Sequence, residues 1–163
     1  MTVRILAVCA GNICRSPTAA AAIAAAAAEA GIEVEVDSAG TGTWNLGEPP
    51  HPQAVAAARS EGLEPGGRAR RIHSRDFDRF DIILAMDRSN LADLLEMAPS
   101  KEAKAKVRLF ATYHPGAELT EIADPWGGPE EGYARMVETV LAAADGLIDS
   151  LLAVATNGPV ADE

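Results

Sequence analysis

The chain predicts a single doubly wound α/β domain, a four-stranded parallel sheet flanked by helices. Three features point there. Short apolar runs read as buried strands, alanine-rich or amphipathic stretches between them read as helices, and Gly-containing loops separate the two. Val3 to Val8 ("VRILAV") is the first strand. Ser16 then supplies an N-cap residue type and Pro17 a favoured first helical position, with alanines running to Ala30 and Gly31 placed as a stop. Ile32 to Asp37 ("IEVEVD") alternates strictly, so it predicts a strand with one exposed face. Strand, helix and parallel strand in this order make a right-handed crossover.

The pattern then repeats. Ser38 to Pro52 is a Gly/Pro-rich loop carrying Trp44, and a helix is expected from Pro52 to Glu61, closed by Gly62. Asp81 to Met86 ("DIILAM") has the continuous apolar character of a central parallel strand. Asp87 or Ser89 caps a helix through Met97, Val107 to Phe110 is the fourth strand, and a helix with apolar residues at helical spacing spans Glu130 to Leu152. Residues 1–153 are expected to be the domain and 154–163 a short flexible tail. Ligands of such sheets bind beyond the carboxyl ends of the strands. The Cys9–Ser16 loop, the loop after Asp37 and the loop after Phe110 therefore share one rim.

Composition narrows the function. The 163 residues suit one domain, and 48% hydrophobic content fills a core. Twenty-four Asp and Glu against fourteen Lys and Arg give a net charge of −10, which argues against nucleic acid or an anionic membrane as partner. No apolar run approaches the ~20 residues of a membrane span, and the N-terminal run Ile5 to Ala10 is too short for a signal-peptide core, so membrane insertion is not expected and the cytoplasm is. Two cysteines, Cys9 and Cys14, exclude a disulfide scaffold or a four-cysteine zinc site. His51, His73 and His114 have no second ligand at metal spacing, so they read as loop or surface residues and neither metal nor cofactor is expected.

The informative segment is "VCAGNICRSP", Val8 to Pro17, between strand and helix. Unpaired N–H groups and the positive helix end there favour an anion. Gly11 and Asn12 tolerate positive φ, so Ala10, Gly11, Asn12, Ile13, Cys14, Arg15 and Ser16 can curl into a phosphate-binding ring. Arg15 offers a planar fork to a bound phosphate. Cys9, at the floor of that ring, is favoured as a thiolate by the same dipoles and by Arg15, and Ser16 can donate to its sulfur. No Gly-Lys-Ser/Thr follows, so this is not a nucleotide-binding P-loop.

Cys9-Ala-Gly-Asn-Ile-Cys-Arg15-Ser-Pro17 resembles the signature of the low-molecular-weight protein tyrosine phosphatases, a Cys, five residues and Arg-Ser after the first strand. "ADPWGG" around Asp124 and Pro125, "DSAGT" at 37–41, Trp44 and "MDRSN" at 86–90 also match, over about residues 2 to 152. The resemblance implies phosphotyrosine protein or peptide substrates and inorganic phosphate as product. It implies Cys9 as nucleophile, Arg15 as the transition-state binder, Asp124 as general acid and base, and Trp44 and Trp126 as substrate-gripping walls, with no metal or other cofactor. It also implies redox sensitivity, because in that family a neighbour such as Cys14 can form a reversible disulfide with the nucleophile.

Some positions depart from the family. Trp126 and Gly127 stand where two tyrosines are common, Ala20 where a Glu is usual, and His51 where an acidic residue often stands. Two rival activities remain beside the main one. Protein arginine phosphatases share the loop but tend to carry Thr at the place of Ile13, and a non-catalytic phosphotyrosine-binding module would lack Cys9 or Asp124. Arsenate reductases need further cysteines, and none follows Cys14. Arg68, Arg70, Arg71 and Arg75 form either a solvated face or a guide for an acidic phosphopeptide.

Overall fold

A computed structural model describes residues 2–116 and 118–156. Four parallel strands, β1 (Val3–Cys9), β2 (Val34–Gly40), β3 (Ile82–Ala85) and β4 (Val107–Leu109), form one sheet in the order β2-β1-β3-β4. Six helices flank it: α1 (Arg15–Ala30), α2 (Pro52–Arg59), α3 (Asp76–Arg79), α4 (Arg88–Met97), α5 (Lys101–Ala105) and α6 (Glu130–Thr156). A 3-10 turn, Phe110–Tyr113, follows β4. The doubly wound four-stranded sheet expected from the sequence is therefore the fold.

Successive β1 side chains point to opposite faces, and both faces are covered. Ile5 and Ala7 pack with Ile23, Tyr133, Val137, Val140 and Ala144, the layer of α1 and α6. Leu6 and Val8 pack with Phe77, Phe80 and Leu94, on the side of α3 and α4. All four of these β1 residues are fully buried, which explains a run with no polar alternation. The order of connection reverses between β1 and β3. The carboxyl end of β1 thus opens onto a crevice where a loop can meet a ligand.

The differences in detail are local. Helix α1 begins at Arg15, with Cys14 as its N-cap, so Pro17 sits in the first turn and Ser16 is inside the helix without capping it. Gly31 ends that helix in the left-handed region (φ 74°), and Ile32 still donates its N–H to Ala27 O at 2.9 Å. Ile32 therefore belongs to the helix stop, and β2 starts at Val34 and runs to Gly40. Helix α2 ends at Arg59 and β4 at Leu109, each earlier than expected. The one-turn helices α3 and α5 lie in stretches to which the sequence pattern assigned no element. Helix α6 continues through Thr156, past the expected start of the tail at 154, and the rest of that tail lies outside the described residues.

Candidate active site

The loop after β1 is a ring in which the carbonyls of Cys9, Ala10, Gly11, Ile13 and Cys14 face away from its centre. Cys9 O accepts from Thr41 N (2.9 Å), Ala10 O from Gly42 N (3.0 Å) and Ile13 O from His51 N (2.8 Å). Gly11 O faces Asn45 Nδ2 at 3.4 Å, and Cys14 O accepts from Thr18 Oγ1 at 2.8 Å. In a planar trans peptide the next residue's N–H points opposite to the carbonyl. Tying these carbonyls outward therefore turns the N–H groups of Ala10, Gly11, Asn12, Cys14 and Arg15 inward. One of them is seen doing so, since Asn12 N donates to Cys9 Sγ at 3.2 Å. An anion site results from backbone bookkeeping alone.

Asn12 holds the ring's shape. Its φ is 60°, a conformation Asn accepts more readily than most residues. Its Oδ1 accepts from Arg70 N (3.0 Å), which orients the amide so that Nδ2 donates to Ser16 Oγ (2.8 Å) and Ser38 Oγ (2.9 Å). Ser16 Oγ lies 3.0 Å from Cys9 Sγ. Because that oxygen already receives the Asn12 amide, its own hydrogen is available to the sulfur. Two donors thus converge on Sγ. Gly11 does not adopt positive φ as expected. Its missing Cβ instead leaves room for Asn45 Nδ2, which would stand 2.6 Å from such a carbon.

Arg15 is 4% exposed and fixed at one nitrogen. Nη1 donates to Asp87 Oδ2 (2.7 Å) and to Ile122 O (3.0 Å), spending both of its hydrogens. That leaves the Nε–Nη2 edge for a planar oxyanion in the pocket. Asp87, read from sequence as a cap, does cap α4 by accepting from Asn90 N at 2.7 Å, and its other oxygen anchors Arg15. Behind the ring, Arg70 pairs with Asp37 (3.1 Å) and with Asp76 (3.0 Å). Burial opposes its charge, but Asp76 and Asp37 outweigh that and keep it firmly protonated. Arg70 is thus a structural brace rather than part of a solvated face.

Across the mouth, Asp124 Oδ2 is 3.7 Å from Arg15 Nη2, and Oδ1 accepts from Trp126 N at 3.1 Å. The Asp124 side chain is half exposed. Trp44 and Trp126 are exposed, at 71% and 65%. Trp44 is nonetheless fixed, because its ring lies over Gly42 so closely that a Cβ there would overlap it. Residues 9–15 with Trp44, Asn45, Asp124 and Trp126 line one cavity of about 310 Å³. The three loops expected at one rim do meet there. Sequence reading missed Asn45, Ser38, Asp87 and Arg70; Asp87 had a signal, a carboxylate just past a strand beside β1.

Cys9 and Cys14 are both free and buried. Burial pushes the Cys14 thiol up to about 12, with Asp124 and Cys9 adding to the effect and Arg15 opposing it. Tyr133 lies beneath the Asp124 segment, fully buried and stacked on His51 at 5.6 Å between centroids. The Gly127 N–H faces the Tyr133 hydroxyl from outside hydrogen-bonding geometry, and burial pushes this phenol up as well. The histidines have structural tasks: Nδ1 of His51, His73 and His114 accepts the N–H of Gln53, Arg75 and Gly116 respectively.

Comparisons with known proteins agree with this geometry. A family model described as low molecular weight phosphotyrosine protein phosphatase matches residues 4–156. A low molecular weight protein-tyrosine-phosphatase of Streptomyces coelicolor is 40% identical over 153 residues, 91% of this chain and 93% of that protein. The low molecular weight phosphotyrosine protein phosphatase of Homo sapiens is 38% identical over 140 residues, 84% of this chain and 88% of its own length. Among solved structures, a protein tyrosine phosphatase of Entamoeba histolytica with Hepes in the active site superposes with a TM-score of 0.89 at 32% identity, covering 92% of this chain and 97% of that one.

Proposed function

The chain belongs to the low molecular weight phosphotyrosine protein phosphatases, hydrolases acting on protein phosphotyrosine, and from that premise we propose that Cys9, Arg15 and Asp124 carry the reaction here. The Cys9 thiolate attacks phosphorus, forming the S–P bond as the bond from phosphorus to the phenolic oxygen breaks. Asp124 gives its proton to that departing oxygen, which avoids expelling a phenolate. A water then attacks the phosphocysteine and yields its proton to Asp124. The S–P bond breaks, inorganic phosphate leaves and the thiolate returns. Arg15 and the inward N–H groups hold the equatorial oxygens throughout, so charge is met by dipoles already in place.

The observation that carries the reading is the pair of donors on Cys9 Sγ, Asn12 N–H at 3.2 Å and Ser16 Oγ at 3.0 Å, at the floor of a ring closed by Arg15. Such donors stabilise the sulfur as nucleophile and again as leaving group. Trp44 and Trp126 line the same pocket, which supports their gripping a phenyl ring and favouring phosphotyrosine over a shorter phosphoserine. Among the described residues no helix is long and apolar enough to cross a membrane, and the two thiols are unlinked, which supports action in the cytoplasm.

The test is hydrolysis of para-nitrophenyl phosphate, a phosphotyrosine peptide and phosphoarginine in EDTA, with Cys9→Ser alongside. Phosphotyrosine turnover abolished by Cys9→Ser, with phosphate still bound, is expected. A preference for phosphoarginine would move the assignment to the protein arginine phosphatases. Binding without turnover in the wild type would leave a phosphotyrosine-binding module.

A further inference from the structure

We propose that Arg68 and Arg71 form a recognition arm for an acidic side chain flanking the phosphotyrosine, so that the protein prefers acidic phosphopeptides. This deepens the phosphatase reading and rests on it. Residues 68–72 run alongside the segment that carries Trp44. Gly40 bridges Arg71, Ala69 N donates to Glu48 O at 2.8 Å, and Gly47 N donates to Ala69 O at 2.8 Å. From that ladder Arg71 Nε reaches Thr41 O (3.2 Å) and Arg68 Nη1 reaches Gly47 O (2.9 Å). The two guanidiniums therefore flank, on either side in sequence, the loop whose Trp44 and Asn45 line the pocket.

Each of these arginines uses one nitrogen on a backbone carbonyl, and that fixes its position without neutralising it. Among the described residues neither has a carboxylate within ion-pairing distance, which is also true of Arg75, Arg88, Arg108 and Arg135, whereas Arg4, Arg15, Arg59, Arg70 and Arg79 are paired. Both are exposed. In a chain with net charge −10, two positioned and unpaired guanidiniums beside the pocket are out of keeping with the global field. Glu48 is the one acidic side chain on the 41–50 loop, and the segment from Gly66 to Arg75 contains none. The opposite wall differs in sequence, since the 118–131 segment that carries Asp124 and Trp126 also holds Glu118, Glu121, Glu130 and Glu131 and no Lys or Arg. A bound peptide thus meets positive charge beside Trp44 and negative charge beyond Trp126. A planar guanidinium with free N–H groups is well matched to a carboxylate.

The experiment measures kcat/KM for three phosphotyrosine peptides, flanked by Glu, by Gln or by Lys, with para-nitrophenyl phosphate as a substrate too small to reach the arm. Wild type is expected to favour the Glu peptide over the Gln peptide about three- to tenfold, since exposed pairs are individually weak, and to lose that preference in high salt. Arg68→Gln with Arg71→Gln should erase it and leave para-nitrophenyl phosphate within about twofold. Arg71→Glu should shift preference toward the Lys peptide, a gain that mere loosening of the Trp44 loop does not produce. Equal turnover of the three peptides by wild type overturns the proposal alone. So does an equal fall on every substrate in the glutamine variant. No turnover of para-nitrophenyl phosphate by wild type overturns the phosphatase reading and this arm with it.

Discussion

The two walls of the pocket are built by opposite means. On the side of Cys9, the proposed nucleophile, Asn12, Ile13, Cys14 and Arg15 are all under 9% exposed, and the carbonyls of Cys9, Ala10, Gly11, Ile13 and Cys14 are each tied to a donor. On the acid's side, Asp124 and Trp126 stand in solvent. Their segment is held at its base, where Ile122 N donates to Met86 O at 2.7 Å and Ile122 O accepts from Arg15 at 3.0 Å. A ring of dipoles helps only if it is in place before charge develops, so it is buried in the sheet. The proton donor we propose, Asp124, must reach a departing oxygen and later a water, and its half-exposed side chain suits that. Arg15 touches both walls.

Breaking that shared residue should give the largest effect. Arg15→Lys keeps the charge but loses the fork and one of its ties to Asp87 or Ile122, so kcat/KM for a phosphotyrosine peptide should fall about 10³-fold. Inhibition by inorganic phosphate should weaken in parallel. An unchanged affinity for phosphate would mean the backbone ring binds the anion unaided. The acid wall should break more selectively. Asp124→Asn is expected to slow phenyl phosphate roughly 10²–10³-fold and to spare an aryl phosphate whose phenol is already acidic, because only the poor leaving group needs the proton. Equal losses on both would remove Asp124 from the proton transfer and make it merely a partner of Arg15.

The same contrast explains what the sequence disclosed. The nucleophile's loop is local: strand, ring residues, Arg15 and helix follow one another within β1 to α1, so residue type and spacing reveal its chemistry. What braces it comes from afar. Asp87 and Arg15 are 72 residues apart, Asn12 and Arg70 58, and Gly11 and Asn45 34, and no periodicity joins such pairs. Asp124 was legible only through resemblance, since an Asp before Pro is otherwise a common turn. Helix α5 was legible and unread: Ser100 caps it by accepting from Ala103 N at 3.1 Å, ahead of "KEAKA". The start of α1 was not, because the ring's outward ties, and not Ser16, decide where the helix begins.

A subtler test separates the shape of the ring from its hydrogen bonds. Asn12→Gly accepts φ near 60° but gives up the amide's bonds to Ser16, Ser38 and Arg70, whereas Asn12→Ala gives up the same bonds and adds strain. The alanine variant should therefore be less stable than the glycine variant by about 1 kcal/mol, while both should slow turnover by a similar factor of about ten. A glycine variant with wild-type turnover would show that Ser16 orients toward Cys9 without Asn12.

The smallest effect on turnover belongs to the second thiol, which lies in the buried wall and feels the exposed one. Burial, then Asp124 and Cys9, raise Cys14 from an ordinary 9.0 to about 12. Below pH 9 both folded and unfolded chains hold that proton, so the group is neutral to stability there. Between about 9 and 12 the unfolded chain releases it while the folded one keeps it, so stability falls as pH rises. Cys14→Ser, which cannot titrate in that range, should lose less melting temperature than wild type between pH 8.5 and 10.5, by roughly 4–8 °C. Tyr133 pulls the same way in both proteins, so only the difference between them reports Cys14. Parallel curves would mean that the thiol reaches water from inside the pocket, and that the nucleophile's wall is as open to solvent as the acid's.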